Sequence, residues 1–284
     1  MKASRSLRAI AAAALAIGML AAPATAKDWK TVTIATEGAY PPWNMQDAQG
    51  KIIGFEPDLA DYLCAHMHVT CKMIATDWDG VIPGLTAGKY DSIMDGMSVT
   101  PKRLQVIDFT RPYAQSPTSL AAMKSGPLAN LPEKGQRVDF AKDPAAAQKA
   151  IDALKPALKG KTIGTQIATI QADFLNQYLK DTVTIRTYRT TEERDLDLEN
   201  GRVDAVLDSL AYMVPALAKP QMKDVTLTGP YLAGGLFGIG TGIGVRKSDP
   251  ELTQLFDAAI KSALDDGTIH TLSLKWFKFD VTPQ

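Results

Sequence analysis

Cysteine and histidine are scarce in this chain: two and three residues out of 284. A metal centre built from soft ligands, or a nucleophile activated by a histidine, therefore has few possible addresses. An excess of charge is also missing, because 31 Lys and Arg balance 31 Asp and Glu. That balance excludes a dedicated nucleic-acid binder, which gathers a basic surplus on one face. The signatures H-E-x-x-H, P-loop and EF-hand do not occur. Gly96-Met97-Ser98 opens like a nucleophile elbow, but Val99 and Thr100 follow where its second glycine belongs. After the first 26 residues no apolar run is long enough to cross a bilayer. With 45% hydrophobic and 22% charged residues, the chain as a whole has the composition of a soluble globular protein.

What is present begins at the amino terminus. Lys2, Arg5 and Arg8 precede an apolar run from Ala9 to Ala22, and Ala24-Thr25-Ala26 supplies the small residues of a cleavage site. Met1 to Ala26 is expected to be a removed secretory signal. Its loss takes away three cations and no anion, leaving 28 against 31 and a mature net charge of -3. An exported chain meets an oxidising compartment, so Cys64 and Cys71 are expected to form one disulfide between the end of a helix and the next strand. The rival is a metal site formed by these two with His66 and His68. Two histidines at i and i+2 diverge on a helix and match no usual zinc spacing, so no metal and no cofactor is expected.

Short β-branched runs alternate with helical patterns. Strands are expected at 31–36, 73–75 and 91–94, and helices at 56–67 and 81–87. A hydrophilic stretch from Ser125 to Asp143 interrupts the series before a helix at 144–158. Strands at 162–165, 184–188 and 204–207 then alternate with helices at 170–179, 191–199 and 210–218. Two such series imply an α/β chain with two lobes. Gly234 to Gly244 alternates glycines at 238, 240, 242 and 244 without the G-x-G-x-x-G spacing, which favours close backbone approach or a hinge over a nucleotide loop. A strongly amphipathic helix is expected at 250–264.

Chemistry concentrates in four segments: Ala35 to Asn44, Gly54 to Leu63, Asp77 to Leu85 and Tyr90 to Arg103. The first, third and fourth place Glu37, Tyr40, Trp78, Asp95, Ser98 and Arg103 just beyond strand ends, where open α/β sheets bind ligands. One arginine, two carboxylates and two aromatics suit a small zwitterion with an additional cationic end.

These motifs resemble the periplasmic solute-binding proteins of polar amino acid ABC transporters, bacterial solute-binding protein family 3, over essentially the whole mature chain. The likeness is greatest to the branch that takes lysine, arginine, ornithine, histidine and the opines octopine and nopaline, and Gly234 to Lys247 looks especially like the opine binders. Cys64 and Cys71 sit where that branch has its disulfide. Pro57 departs from the family signature at Gly54 to Asp58, but near a helix start proline is tolerated. The resemblance implies a type II two-lobed fold with two hinge strands and the ligand between the lobes. Lobe 1 is expected to comprise residues 27–114 and 240–284, and lobe 2 residues 115–239, with crossings near Gln115 and Gly238.

By the same resemblance Arg103 grips an α-carboxylate, with Ser98 and the Gly96 backbone adding hydrogen bonds beside it. Trp78 and Tyr40 sandwich the ligand, and Glu37 holds its distal cation. Asp95, where relatives commonly have serine, adds a second anion there or else turns into lobe 1. Gln166, Thr169 and Ile170 approach from lobe 2. At Ser209 amino acid binders have an aspartate for the α-ammonium, so a simple amino acid is less expected than an opine, unless the adjacent Asp208 substitutes. The implied role is a monomeric receptor handing its small-molecule ligand to an inner-membrane permease. The alternatives are an enzyme similar to cyclohexadienyl dehydratase and a sensory binding protein.

Overall fold

The computed structural model describes residues 28–284, so the expected signal at Met1 to Ala26 lies outside the described residues. Two sheets divide the chain. The first has five strands in the order Thr70–Ala75, Thr31–Thr36, Ser92–Ile93, Gly244–Val245, Asp108–Phe109. Its first three strands run parallel, and Gly244–Val245 enters antiparallel to both neighbours. The second has six strands in the order Thr184–Tyr188, Thr162–Gln166, Ala205–Ser209, Thr118–Met123, Val225–Ala233, Arg137–Asp139. The chain thus completes most of one sheet, builds all of the other, and returns to insert one strand into the first. A small antiparallel sheet of Ala39–Tyr40, Asn44–Gln46 and Ile52–Ile53 lies between the opening strand and the first long helix.

That helix, Phe55–His66, starts at Gly54, whose φ of 136° and lack of a side chain are both required: a Cβ there would lie 2.5 Å from the Trp43 carbonyl oxygen. Pro57 occupies its first turn, where the backbone N–H has no partner within the helix in any case. Cys64 near its end is bonded to Cys71 in the adjoining strand, with the two Cα atoms 6.0 Å apart. The helix packs against Pro250–Asp265 and Thr268–Trp276. Trp43, Phe55 and Phe277 meet at the centre of this core, the Trp43 and Phe277 rings 4.7 Å apart. Across the other sheet, Pro144–Leu158 is capped by Asp143, which accepts from the Ala146 amide at 2.9 Å. It buries Ala147, Ile151, Leu154 and Leu158 on one stripe. Cutting Leu154 back to alanine is expected to cost about 2–5 kcal/mol.

Several elements depart from expectation. Thr118–Met123 and Val225–Ala233, central in the second sheet, have no counterpart in the sequence reading, and neither does Thr268–Trp276. The helix expected at 170–179 is α-helical only over Ile170–Phe174 and continues as a π-turn over Leu175–Leu179. The hydrophilic stretch before Pro144 contains the edge strand Arg137–Asp139. Gly238 and Gly240 do mark close approach: added Cβ atoms would lie 2.2 Å from the Val99 carbonyl oxygen and 2.8 Å from that of Ala114. The two passages between the sheets are paired, with Ala114 and Thr241 exchanging backbone hydrogen bonds. No helix among the described residues is long and apolar enough to cross a membrane.

Candidate functional site

A narrow cleft lies between the two sheets, and all twelve candidate ligand residues border it. Strand ends explain the convergence. Glu37 follows Thr31–Thr36, Trp78 starts a turn after Thr70–Ala75, and Asp95, Gly96 and Ser98 follow Ser92–Ile93. Arg103 lies in the short helix Pro101–Leu104, whose cap Thr100 accepts from the Arg103 amide. From the second sheet come Gln166 at the end of its strand, Thr169 capping the next helix, Ile170 beside it, and Asp208 and Ser209 ending Ala205–Ser209. Every parallel strand that contributes does so at its carboxyl end, as expected for an open α/β sheet.

One wall is acidic and incompletely partnered. Asp95, only 2% exposed, accepts on Oδ1 from Thr36 Oγ1, the Glu37 amide and Asn44 Nδ2, while Oδ2 has no partner. The carboxyl is therefore turned partly toward Thr36 and Asn44 of its own lobe and still borders the cleft. Glu37 Oε2 accepts from Gln166 Nε2 at 2.8 Å, and its Oε1 is likewise buried and unpartnered. Burial, with Asp208 and Glu56 nearby, raises the Glu37 carboxyl from 4.5 to about 7 despite the Gln166 bond. Burial, then the negative charges of Glu37 and Glu56, pushes Asp95 well above the usual carboxylate range. Glu56 is fully buried behind them, where Asn44 Nδ2, the Gly96 amide and the Tyr113 hydroxyl donate to it.

Arg103 supplies the positive pole. Its Nη1 donates to the Ser98 carbonyl at 3.0 Å and its Nη2 to that of Ala168 at 3.4 Å, and no carboxylate of the described residues pairs with it. Burial lowers it to about 10, so it remains a cation at neutral pH, with N–H groups left for an incoming carboxylate. Trp78 lies 5.3 Å from the guanidinium carbon and donates across the cleft to the Ile167 carbonyl. Tyr40 lies parallel to Tyr212 at 5.2 Å and to Trp43 at 6.5 Å. The two rings expected to sandwich a ligand thus each have a protein neighbour already.

One alternative from the sequence needs correction, that of Asp208, while Gly96 borders the cleft with its N–H taken by Glu56 Oε1 at 2.7 Å. Glycine is needed here because φ is +57° and a Cβ would lie 2.9 Å from Tyr40 Cε1. Asp208 is not an open substitute for the missing aspartate. Its Oδ1 accepts from the Tyr40 hydroxyl and the Ser209 amide, both at 2.7 Å, and its Oδ2 from Arg194 Nη1. Ser209 caps the helix Leu210–Leu217 through the Ala211 amide.

Trp43, Ser116, Thr118, Gln171 and Thr241 also border the cleft and were not singled out in the sequence. Ser116 and Thr118 had one available signal, their position just after the expected crossing at Gln115. Further contacts span the cleft at its rim, Lys102 with Asp173 at 2.9 Å and Arg189 with Asp77 at 3.0 Å. Among the described residues, no group of three or more His, Cys, Asp or Glu is placed to hold a metal.

Comparison with known proteins accords with this geometry. The octopine-binding periplasmic protein of Rhizobium meliloti is 44% identical, covering 98% of this chain and 99% of its own length. The lysine/arginine/ornithine-binding periplasmic protein of Escherichia coli (strain K12) is 33% identical over 96% of this chain and 98% of its own. A periplasmic His/Glu/Gln/Arg/opine family-binding protein from Silicibacter pomeroyi, solved in complex with lysine, superposes with a TM-score of 0.70 at 35% identity. That superposition covers 89% of this chain and all of the other. The model of the bacterial extracellular solute-binding proteins, family 3, matches residues 32–279. This chain therefore belongs to family 3 of the bacterial extracellular solute-binding proteins, with the two-lobed type II fold, and is a binding protein rather than an enzyme.

Proposed function

We propose that the mature chain is the periplasmic binding component of an ABC transporter, capturing a cationic amino acid or an opine and passing it to an inner-membrane permease. The observation that carries this reading is the pairing of opposite poles in one cleft. Glu37 Oε1 and Asp95 Oδ2 are buried carboxyl oxygens without partners, and Arg103 is a half-buried guanidinium bonded only to carbonyls. A ligand with a carboxylate at one end and a guanidinium or ammonium at the other satisfies both poles, and each uncompensated group otherwise costs free energy. Names of relatives that bind octopine, arginine or lysine, arginine and ornithine support the same ligand class.

Arg103 receives the α-carboxylate with Ser98 beside it, and Glu37 with Asp95 takes the distal cation. Trp78 and Tyr40 flank the chain between, and Gln166, Thr169, Ile170, Ser209 and Gly96 complete the enclosure. The lobes comprise residues 27–114 with 240–284, and 115–239. They close about the passages near Gln115 and Gly238, and the receptor acts as a monomer after the leader is removed. Calorimetric titration of the mature protein with arginine, ornithine, octopine and nopaline tests the reading. At least one is expected to give saturable heat, and silence with all four rejects the ligand class.

A further inference from the structure

Behind the cleft, Arg194 is completely buried between two carboxylates. Nε and Nη2 both donate to Asp195 Oδ1, whose other oxygen accepts from Tyr212, and Nη1 donates to Asp208 Oδ2. Asp208 Oδ1 is in turn occupied by Tyr40, which comes from the small three-stranded sheet across the cleft. Asp208 thus borders the site with both oxygens already engaged. Its neighbour Ser209 offers the cleft a hydroxyl that is itself accepting from a helix amide.

A primary α-ammonium carries three N–H donors and a full charge, and desolvating it requires acceptors and a nearby anion. This wall provides no open carboxylate. A nitrogen substituted by a carboxyalkyl arm has one N–H fewer and brings its own anion. We propose that Arg194 is a specificity-determining positioning residue: by clamping Asp208 against Tyr40 it withholds that carboxylate from the ligand nitrogen, so the site favours N-carboxyalkyl amino acids over free ones. This rests on the cleft being an amino acid or opine site.

The test is a set of calorimetric affinities for octopine and L-arginine. The wild type is expected to prefer octopine. In Arg194→Gln the freed Asp208 becomes available, and the preference is expected to shift toward arginine by about tenfold. Adding Asp208→Asn to that variant restores the wild-type ratio. Asp208→Asn alone avoids dependence on the folding of the Arg194 variant. It weakens both ligands by similar factors, because an amide in place of the carboxylate weakens the bridge from Arg194 to Tyr40 without presenting an anion to the nitrogen. A selective loss of arginine in Asp208→Asn, equal losses of both ligands in Arg194→Gln, or a wild-type preference for arginine overturns the inference while leaving the amino acid receptor intact. A wild type that binds neither probe, nor ornithine nor nopaline, removes the receptor reading and this inference with it.

Discussion

Both walls of the cleft bury acidic side chains, and they treat them differently. In the wall from the first sheet, Glu37 and Asp95 lie beside Glu56 with hydrogen-bond donors but no basic partner among the described residues. In the other wall, Asp195 and Asp208 close on Arg194: burial alone would lower its pKa, but the two carboxylates hold it well above the ordinary value, so the guanidinium stays charged. The second arrangement is complete within the protein and acts as framework. The first is finished only by a proton or an external cation, so unbalanced burial, rather than burial itself, is what distinguishes the wall proposed to bind ligand.

Arg194, fully buried, and Arg103, half-buried at the cleft, provide the largest expected contrast. Arg194→Ala leaves two buried carboxylates uncompensated and is expected to cost about 3–5 kcal/mol of folding stability, read by urea denaturation. Arg103→Ala is expected to cost the free protein only about 1 kcal/mol, yet weaken the ligand by about 100-fold or more. If Arg103→Ala proved the more destabilising of the two, the distinction between framework and binding wall would fail.

Neutral amides sharpen it next. Asp208→Asn should lower free-protein stability by about 3 kcal/mol, whereas Glu37→Gln should leave it equal or higher at pH 8 because an ionised group without a counter-ion is removed. Cationic ligands should bind Glu37→Gln about tenfold more weakly. Asp95→Asn, measured by thermal denaturation at the same pH, is expected to raise the midpoint by a few degrees, about 1 kcal/mol for a chain of this size.

The smallest effect is the pH response of the free protein. Glu37 has a folded value of about 7 against 4.5, so the native state binds the extra proton between those limits. Its contribution to stability therefore falls as pH rises through that window and is level above it. Ligand affinity should do the reverse, rising toward pH 7 as the carboxylate ionises to meet the cation. Denaturation midpoints at pH 5.5 and 8 should show the first trend, and Glu37→Gln should remove this group's share.

Much of this comparison was legible in sequence on one side only. Glu37, Trp78, Asp95 and Arg103 follow recognisable strands, so the rule that ligands gather at strand ends found them. Arg194 and Asp195 stand in the run Glu192-Glu193-Arg194-Asp195, which reads as the solvated face of a helix. Their burial becomes visible only when Asp208 and Tyr212 are brought alongside from distant segments. Thr118–Met123 was missed for a related reason: flanked by two strands and buried along nearly its whole length, it has no polar alternation to reveal it. Asp208 adjoins the position where amino acid binders carry aspartate, which draws attention to it in the sequence, but the engagement of its oxygens is a tertiary property.

The bare backbone at Gly96 carries a further consequence. Tyr40 occupies the volume a methyl group would claim there, and its hydroxyl reaches the carboxylate clamped by Arg194. One missing carbon on the first lobe therefore sets the height of a strut that ends on the second. A Cβ at Gly96 would displace Tyr40, and with it the hydrogen bond that ties one wall of the cleft to the other.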